Sequence, residues 1–348
     1  MILIQELLSS LIFTVILSFI LLYFFTKKKF LIDQINSSKH KQLTANNSTN
    51  GAILCGGIII FIAILFFFNN DLYLIKIFSS FILIIGILSD INKFNSPKYR
   101  ILSQLLIVLF LLLYNENLAI VDLRVIFINN ILEIKFVSII FTIFCILILI
   151  NGSNFLDGLN TLVVGYYILV LSIVVLTSLQ FNLYIDPNIY YLIIVLSVVF
   201  LFNFFNKIYL GDAGSYLISF LVAFFLLDFF SKNDSVSPYF ICLLLWYPAF
   251  ENLFSIIRRA FLKRNIDQAD EGHLHQMIYR IVKNKDYINK KYINTATAML
   301  INLFNLTIFI FSYKYYFFTE NLVLVIFVNM LIYFLLYSFI KKKLNQSR

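Results

Sequence analysis

The sequence predicts an all-α integral membrane protein with many membrane spans, on three observations. Of its 348 residues, 61% are apolar and 13% are charged, whereas a soluble domain has roughly 45–50% apolar and about 25% charged residues. The mean hydropathy is +0.90. No extended run alternates as transmembrane β-strands do, and open backbone cannot face lipid. The class is therefore a polytopic helical membrane protein.

The spans follow from the length of the apolar runs, because a helix needs about 20 mostly apolar residues to cross a bilayer. The sequence contains about eleven candidates, centred near positions 14, 60, 80, 108, 142, 170, 198, 222, 247, 304 and 330. The first begins at Met1 without a basic segment and is followed by three lysines. That pattern predicts a retained span and not a cleaved signal peptide.

The orientation follows from the basic residues, of which 22 among 27 lie in loops after odd-numbered spans. Such loops remain in the cytoplasm, so we predict the amino terminus outside and the carboxyl terminus inside. Residues 258–291 hold nine of these charges and are predicted to form a long basic cytoplasmic loop. The net charge of +9 is not gathered on one soluble domain, so it indicates topology and an anionic lipid or substrate, with no nucleic acid.

Five unusual polar stretches all fall on the predicted cytoplasmic side. The first to consider, "NGSNFLDG", follows the apolar run "FTIFCILILI". Asn151, Asn154 and Asp157 are spaced three apart, so on a helix they remain broadly on one side and can project into a shared cleft. The plainer interpretation is a polar helix end wetted by the membrane interface.

The stretch "KIYLGDAGS" places Asp212 between two glycines and five residues after Lys207. Glycine permits tight turns and close approach to a ligand, and a carboxylate there is a suitable oxygen ligand for Mg²⁺, which usually binds together with phosphates. An ordinary turn is the alternative interpretation, and the stretch does not match a Walker A motif.

Asp90 ends an apolar run in "GILSDINKFNSPKYRILSQ" and is followed by basic residues and Gln104. A positive-inside loop explains the lysines well, but it explains Asp90 and Gln104 poorly.

The loop "IIRRAFLKRNIDQADEGHLHQ" contains Arg258, His273 and His275. A His-x-His pair with Asp270 resembles part of a metal site, but no third His or Cys accompanies it. A cationic surface that binds phosphate through arginine is favoured, and a solvated amphipathic helix stays open. The three cysteines lack metal-type spacing and are interpreted as small hydrophobic residues.

Together these motifs resemble, in order, those of the polyprenyl-phosphate N-acetylhexosamine-1-phosphate transferases, which are relatives of phospho-MurNAc-pentapeptide translocase. The resemblance covers about residues 30–280, and "HLHQ" is closer to the branch that uses UDP-N-acetylhexosamines. It implies a single transmembrane transferase domain over residues 1–348, with its active site on the cytoplasmic face.

The implied reaction transfers an N-acetylhexosamine-1-phosphate, with UDP-GlcNAc as the expected donor, to undecaprenyl or another polyprenyl phosphate and releases UMP. It would initiate a cell-envelope glycan such as lipopolysaccharide in a bacterial cytoplasmic (inner) membrane. The implied cofactor is Mg²⁺, with Mn²⁺ as the alternative, and a homodimer stays open.

The resemblance also implies roles for individual residues. Asp212 would bind the metal, and Asp90 would belong to a catalytic carboxylate pair. A larger set would bind the substrate: Asn151, Asn154, Asp157, Lys207, Arg258, His273 and His275. The sequence departs from the family pattern at Ser89, where the first of two adjacent acids is usual, at Glu251, where Asp is common, and in lacking a proline before the Lys207 motif.

Two other functions stay open at this point. One is the phospho-MurNAc-pentapeptide translocase of peptidoglycan synthesis, which the "HLHQ" loop disfavours. The other is a secondary transporter, since ionisable groups in membrane segments often mark transport sites. The clustering of the carboxylates at one interface and the lack of an inverted repeat disfavour the transporter.

Overall fold

The structure is a computed structural model that describes residues 2–32, 53–94, 96–262, 272–283, 289 and 292–346. Within these residues the secondary structure is helical, and no β-strand forms. The helices, in chain order, are α1 (Ile2–Lys28), α2 (Gly56–Phe67), α3 (Tyr73–Asp90), α4 (Pro97–Tyr114), α5 (Ile126–Leu132), α6 (Lys135–Leu156), α7 (Leu162–Phe181), α8 (Asn188–Phe204), α9 (Gly211–Ser231), α10 (Pro238–Leu244), α11 (Trp246–Phe261), α12 (Leu274–Lys283), α13 (Ile293–Ser312) and α14 (Thr319–Gln346).

Eight stretches of helix in the described part of the chain are long and apolar enough to span a membrane, and the bent pair α10 and α11 makes a ninth if it is one span. The apolar helices α2 and α8 are shorter, with 12 and 17 residues, so at about 1.5 Å per residue they fall short of a hydrocarbon core of about 30 Å. The predicted all-helical class is confirmed for the described residues, and the candidate spans support a membrane protein. The count from length and composition is eight to nine, against about eleven predicted from the apolar runs.

Helix α9 lies at the centre of the bundle and packs against α2, α3, α6 and α7. Of its most apolar window, 94% is buried. A helix that neighbours enclose on every side needs apolar residues around its whole circumference, and "SYLISFLVAFFLL" supplies them. The residues at the start of α9 are therefore held by a rigid, fully packed element.

Close backbone contact joins α3 to the start of α9. A Cβ atom built on Gly86 would lie 2.3 Å from the Cα atom of Ala213, so only glycine permits this approach. Small residues let membrane helices pack this closely. The contact brings Asp90, one turn after Gly86, to the amino-terminal end of α9.

Two isolated β-bridges hold the chain that precedes α9. Ile53 pairs with Ile32 and with Ile208. The amide of Tyr209 donates to the carbonyl of Ile53 at 2.8 Å, and the amide of Gly56 donates to the carbonyl of Tyr209 at 3.0 Å. The start of α2 therefore fixes the approach to α9.

The 75° bend between α10 and α11 has a local cause. Pro248 stands in the first turn of α11 and has no amide proton to bond the carbonyl of Leu244. The hydroxyl of Tyr166 donates to that carbonyl at 2.8 Å instead. A Cβ atom on Gly152 would lie 2.2 Å from the Pro248 carbonyl oxygen, so α6 packs directly on the bend.

The predicted basic loop 258–291 is partly helical where the structure describes it, since α11 extends to Phe261 and α12 covers Leu274–Lys283. Asp270 lies outside the described residues. The disfavoured alternative of a metal site formed by Asp270 with the histidines therefore falls outside the described residues.

Candidate active site

The start of α9 is built around a helix N-terminus and a carboxylate from α3. Gly211 has φ +67°, a left-handed conformation that glycine adopts without strain. The side chain of Asp90 accepts hydrogen bonds from the amides of Asp212 (2.9 Å) and Ala213 (3.1 Å). Because helix N-termini carry partial positive charge, Asp90 stabilises the turn that presents Asp212.

The carboxylate of Asp212 accepts hydrogen bonds from three different helices. Its Oδ1 atom accepts from the amide of Asn154 at 2.8 Å. Its Oδ2 atom accepts from the hydroxyl of Ser89 at 2.5 Å and from the guanidinium of Arg100 at 2.9 Å. The side chain of Asp212 retains 28% exposure, so this carboxylate is fixed in direction and accessible. We call Ser89, Asp90, Arg100, Asn154 and Asp212 the aspartate cluster.

Arg100 provides the cation of the aspartate cluster. It lies in the first turn of α4, and its Nη1 atom also donates to the Ser89 hydroxyl at 2.7 Å and, more weakly, to the Tyr216 hydroxyl at 3.4 Å. Its side chain is 22% exposed. In the sequence Arg100 is one of several basic residues that a positive-inside loop explains. Only its packing distinguishes it from Lys93 and Lys98, which are exposed.

Asn151 lies one turn before Asn154 on α6 but does not bond Asp212. Its amide donates to the side-chain oxygen of Gln104 at 3.1 Å and to the carbonyl of Leu147 at 2.9 Å. Gln104 is fully buried. The two predicted asparagines therefore have different surroundings, and only Asn154 touches the predicted metal ligand.

Asp157 and Lys207 occupy the chain segments that flank the aspartate cluster. Asp157 immediately follows the end of α6 and is partly exposed. Lys207 precedes α9 by four residues and is exposed, whereas Ile208 and Leu210 after it are buried. No ion pair between Lys207 and a described carboxylate is formed.

Asparagine side chains that sequence reasoning did not select hold the loop after α6. The amide of Asn160 donates to the side-chain oxygen of Asn294 at 2.8 Å, and its side-chain amide bonds Asn206. The amide of Thr161 bonds the side-chain oxygen of Asn203, which places this loop beside the segment that leads to α9. Their signal in the sequence is weak, because the chain is rich in asparagine throughout.

A second group of buried polar side chains is centred on Glu251 of α11. The carboxylate of Glu251 is fully buried and accepts from the Tyr333 hydroxyl at 2.7 Å and from the Leu274 amide at 3.2 Å. The Nδ1 atom of His273 lies 3.0 Å from the same carboxylate. A carboxylate only accepts hydrogen bonds, so Nδ1 carries the proton. We call Glu251, His273 and Tyr333 the glutamate cluster.

The two predicted histidines are stacked on each other and buried. Their ring centroids are 5.5 Å apart, His273 is 1% exposed, and His275 has no exposed surface. The ring of Phe155, next to Asn154, lies 5.3 Å from that of His273. A Cβ atom on Gly158 would lie 3.5 Å from Nε2 of His275. The carboxyl-terminal end of α6 therefore touches both clusters.

Arg258 lies beside the glutamate cluster and does not belong to the aspartate cluster. Its guanidinium lies 5.6 Å from the ring centres of Phe254 and Tyr337, and it donates to the carbonyl of Gly272. These contacts connect α11 to the segment that carries the histidines and to α14. In this structure Arg258 orders the wall of the site through these contacts.

Comparison with known families bears on the first of these groups. Residues 72–230 match the family model described as glycosyl transferase family 4. The matched segment runs from the start of α3 to the end of α9 and so contains the whole aspartate cluster. It supports a polyprenyl-phosphate sugar-phosphate transferase, the family that the motifs resemble. No curated protein matches the chain.

Asp212, within the segment that matches glycosyl transferase family 4, is the predicted ligand of a divalent ion. Among the described residues, no group of three or more His, Cys, Asp or Glu side chains could enclose a metal. Mg²⁺ does not require such a group, because it keeps several waters and binds through one or two carboxylates together with substrate phosphates. Asp212 accepts three bonds of the roughly four that a carboxylate can accept, so it fits as a single protein ligand.

Sequence reasoning and the structure select overlapping but different residues. Both select Asp90, Asn154 and Asp212. The structure adds Ser89 and Arg100. In the sequence these two residues flank the "NKFNSPK" segment, with Ser89 shortly before it and Arg100 shortly after it. Glu251 stood out in the sequence only as a departure from the family pattern. A carboxylate within the aromatic run "WYPAFENLF" also requires a partner when it is buried, and that was the signal for its cluster.

Proposed function

We propose that the chain is a member of glycosyl transferase family 4 that transfers N-acetylhexosamine-1-phosphate from a UDP-sugar to a polyprenyl phosphate and releases UMP. The observation that supports this most is the Asp212 carboxylate, held at the start of a buried membrane helix by Arg100 and Asn154. It lies within the segment that matches the family. UDP-GlcNAc is the proposed donor and undecaprenyl phosphate the proposed acceptor.

In the proposed reaction, an oxygen of the lipid phosphate forms a bond to the β-phosphorus of the UDP-sugar. The bond from that phosphorus to the bridging oxygen breaks, and UMP leaves with the electron pair. The attacking oxygen is already anionic, so no strong base is required. Positioning and charge neutralisation then dominate, as in other phosphoryl transfers.

The residues of the chain have separate tasks under this proposal. Asp212 would hold Mg²⁺, or Mn²⁺ as the alternative, which neutralises charge on the diphosphate and the departing UMP. Arg100 would donate to phosphate oxygens, for which its planar fork is suited. Asn154 keeps the Asp212 carboxylate in place, and Asp90 holds the turn before α9.

The remaining predicted residues would bind the rest of the donor. Asn151, Asp157 and Lys207 would contact the nucleotide. Arg258, His273 and His275 would define the sugar side. Because both histidines are buried, we propose that they act on the sugar through the shape of this wall and by holding Phe155.

We further propose eleven membrane crossings in a bacterial cytoplasmic membrane, with α2, α8 and the bent pair α10 and α11 each counted as a crossing. This places the amino terminus outside and the carboxyl terminus, the aspartate cluster and α12 inside. The proposal is supported by the basic residues, 22 of 27 of which then face the cytoplasm.

Cysteine accessibility tests this orientation. In a background without the native cysteines Cys55, Cys145 and Cys242, we expect Lys93→Cys to resist an impermeant thiol reagent in intact cells and to react after permeabilisation. The matched variant Asp234→Cys, exposed on the turn after α9, is expected to react in intact cells. The reverse pattern would contradict the orientation and move the site to the outer face.

The activity itself is tested by UMP release from purified protein with undecaprenyl phosphate, Mg²⁺ and a panel of UDP-sugars. We expect release with UDP-GlcNAc that requires the lipid acceptor. Release only with UDP-MurNAc-pentapeptide would favour the peptidoglycan translocase instead. Protein that elutes as a folded species in size-exclusion chromatography but releases UMP from no donor would contradict the transferase and favour a transporter.

A further inference from the structure

Asp212, the proposed ligand of a divalent cation, is already bonded to a cationic side chain of the protein. The Oδ2 atom of Asp212 accepts from Nη1 of Arg100 at 2.9 Å. We propose that Arg100 neutralises Asp212 while the site is empty and moves to the diphosphate when a metal and the sugar nucleotide bind. This inference rests on the proposed function and adds a coupling between the two ligands.

Electrostatics requires such a coupling if both ligands bind here. A guanidinium and a divalent cation at one carboxylate repel each other, so Arg100 lowers the affinity of Asp212 for a metal alone. The same guanidinium is attracted to the diphosphate anion and raises the affinity of the site for nucleotide alone. Removing its charge should therefore shift the two affinities in opposite directions.

The contacts of Arg100 permit the movement. Within the described part of the chain, its Nε atom has no hydrogen-bond partner, and its contact with the Tyr216 hydroxyl is long, at 3.4 Å. Its hydrogen bonds to the described residues come from Nη1. The Nε atom is buried, and a buried donor without an acceptor is unfavourable, so a movement that gives this guanidinium further acceptors is favoured.

Ser89 makes the coupling specific to this sequence. Where the family pattern has an acid beside Asp90, this chain has a hydroxyl that donates to Asp212 and accepts from Arg100. A hydroxyl attracts a guanidinium far less than a carboxylate does. Arg100 consequently lacks a second carboxylate at position 89 that would hold it after a metal displaces it from Asp212.

The test measures two affinities on purified protein without turnover. Mn²⁺ binding is measured in the absence of nucleotide, by electron paramagnetic resonance of the free ion. UDP binding is measured in the absence of metal, by calorimetry. For Arg100→Gln we expect Mn²⁺ to bind at least about threefold more tightly and UDP at least about tenfold more weakly than in the wild type, the second being the loss of one charge-assisted contact. Arg100→Lys should restore most of the wild-type UDP affinity.

The matched control is Lys98→Gln, which removes an exposed positive charge two residues earlier on α4. It should change each affinity by less than about twofold, because exposed charges are screened by solvent and salt. Thermal unfolding of each variant would show whether the bundle is intact.

The possible results are distinguishable. Wild-type protein that binds neither Mn²⁺ nor UDP would contradict the proposed function. Wild-type binding of both, with Arg100→Gln weakening both or changing neither, would overturn the coupling and leave the function standing. Equal effects of Lys98→Gln and Arg100→Gln would also overturn it, because the contact with Asp212 would then be irrelevant.

Discussion

UMP release by an Asp212→Asn variant is expected to be at least about a hundredfold slower than by the wild type. Asparagine preserves the shape of the side chain but removes the negative charge that faces Arg100 and the proposed metal. Loss of one preorganised electrostatic contribution in an active site typically costs about 10²–10³ in rate. The measurement is UMP release at saturating UDP-GlcNAc and undecaprenyl phosphate.

Asp234→Asn is the matched control for this prediction, because Asp234 is an exposed carboxylate at the opposite end of α9. Its activity should stay within about twofold of the wild type. The wild type should also lose activity in EDTA and regain it with added Mg²⁺. A nearly normal Asp212→Asn enzyme, or activity that survives EDTA, would count against the assignment of Asp212.

Asp90→Asn is the second change for which we expect a large loss, well beyond tenfold. The two carboxylate oxygens of Asp90 accept from the amides of Asp212 and Ala213, and an asparagine can offer only one acceptor there. Its NH₂ group would face a second N–H donor, at a helix end that favours negative charge. The turn through Gly211 would then no longer hold Asp212 in position.

Ser89→Ala provides the comparison within the same motif. It removes one donor to Asp212, but Arg100 and Asn154 still bond that carboxylate. We expect a loss of no more than about tenfold in UMP release, about 1.4 kcal/mol, near the upper end of an ordinary hydrogen bond. A loss from Ser89→Ala as large as that from Asp90→Asn would refute this ranking.

An exchange assay with the Asp90→Asn variant distinguishes direct attack from a covalent intermediate. Under direct attack, labelled UMP should not exchange into UDP-sugar without the lipid acceptor. Asp90 is the only acid in its motif, and the structure engages both of its oxygens in holding α9. Acceptor-independent exchange that Asp90→Asn abolishes would show that Asp90 forms a covalent phosphosugar adduct.

The membrane class could be predicted from composition alone, because a hydrocarbon environment accepts a spanning chain only as closed backbone structure under apolar side chains. The positions of the apolar runs, and of the polar residues that interrupt them, could also be read directly from the sequence. The sequence did not determine the number of membrane crossings, because α2 and α8 are shorter than an ordinary membrane span.

The partners of the polar residues could not be predicted, because they depend on contacts between distant segments. Arg100 and Asp212 are 112 residues apart in the chain. Gly86 lets α3 touch the backbone of α9, and α4, which carries Arg100, packs against α3. In the sequence Arg100 and Lys98 are neighbouring basic residues, and nothing in the sequence indicates which of them faces a carboxylate. The burial of His273 likewise depends on Glu251 and Phe155, neither of which lies near it in the chain.

The sequence by itself therefore determined that the chain is apolar enough for a membrane protein, that it is helical, and which acidic and amide residues end its apolar runs. Each of those properties depends on local composition and on the demand of lipid for satisfied backbone groups. Only the tertiary structure decided which cation faces Asp212, that Asp90 caps α9, and that the two histidines are buried. Those outcomes depend on how closely the helices approach one another. Gly86, Gly152 and the bend between α10 and α11 set these approaches, and they lie far apart in the chain.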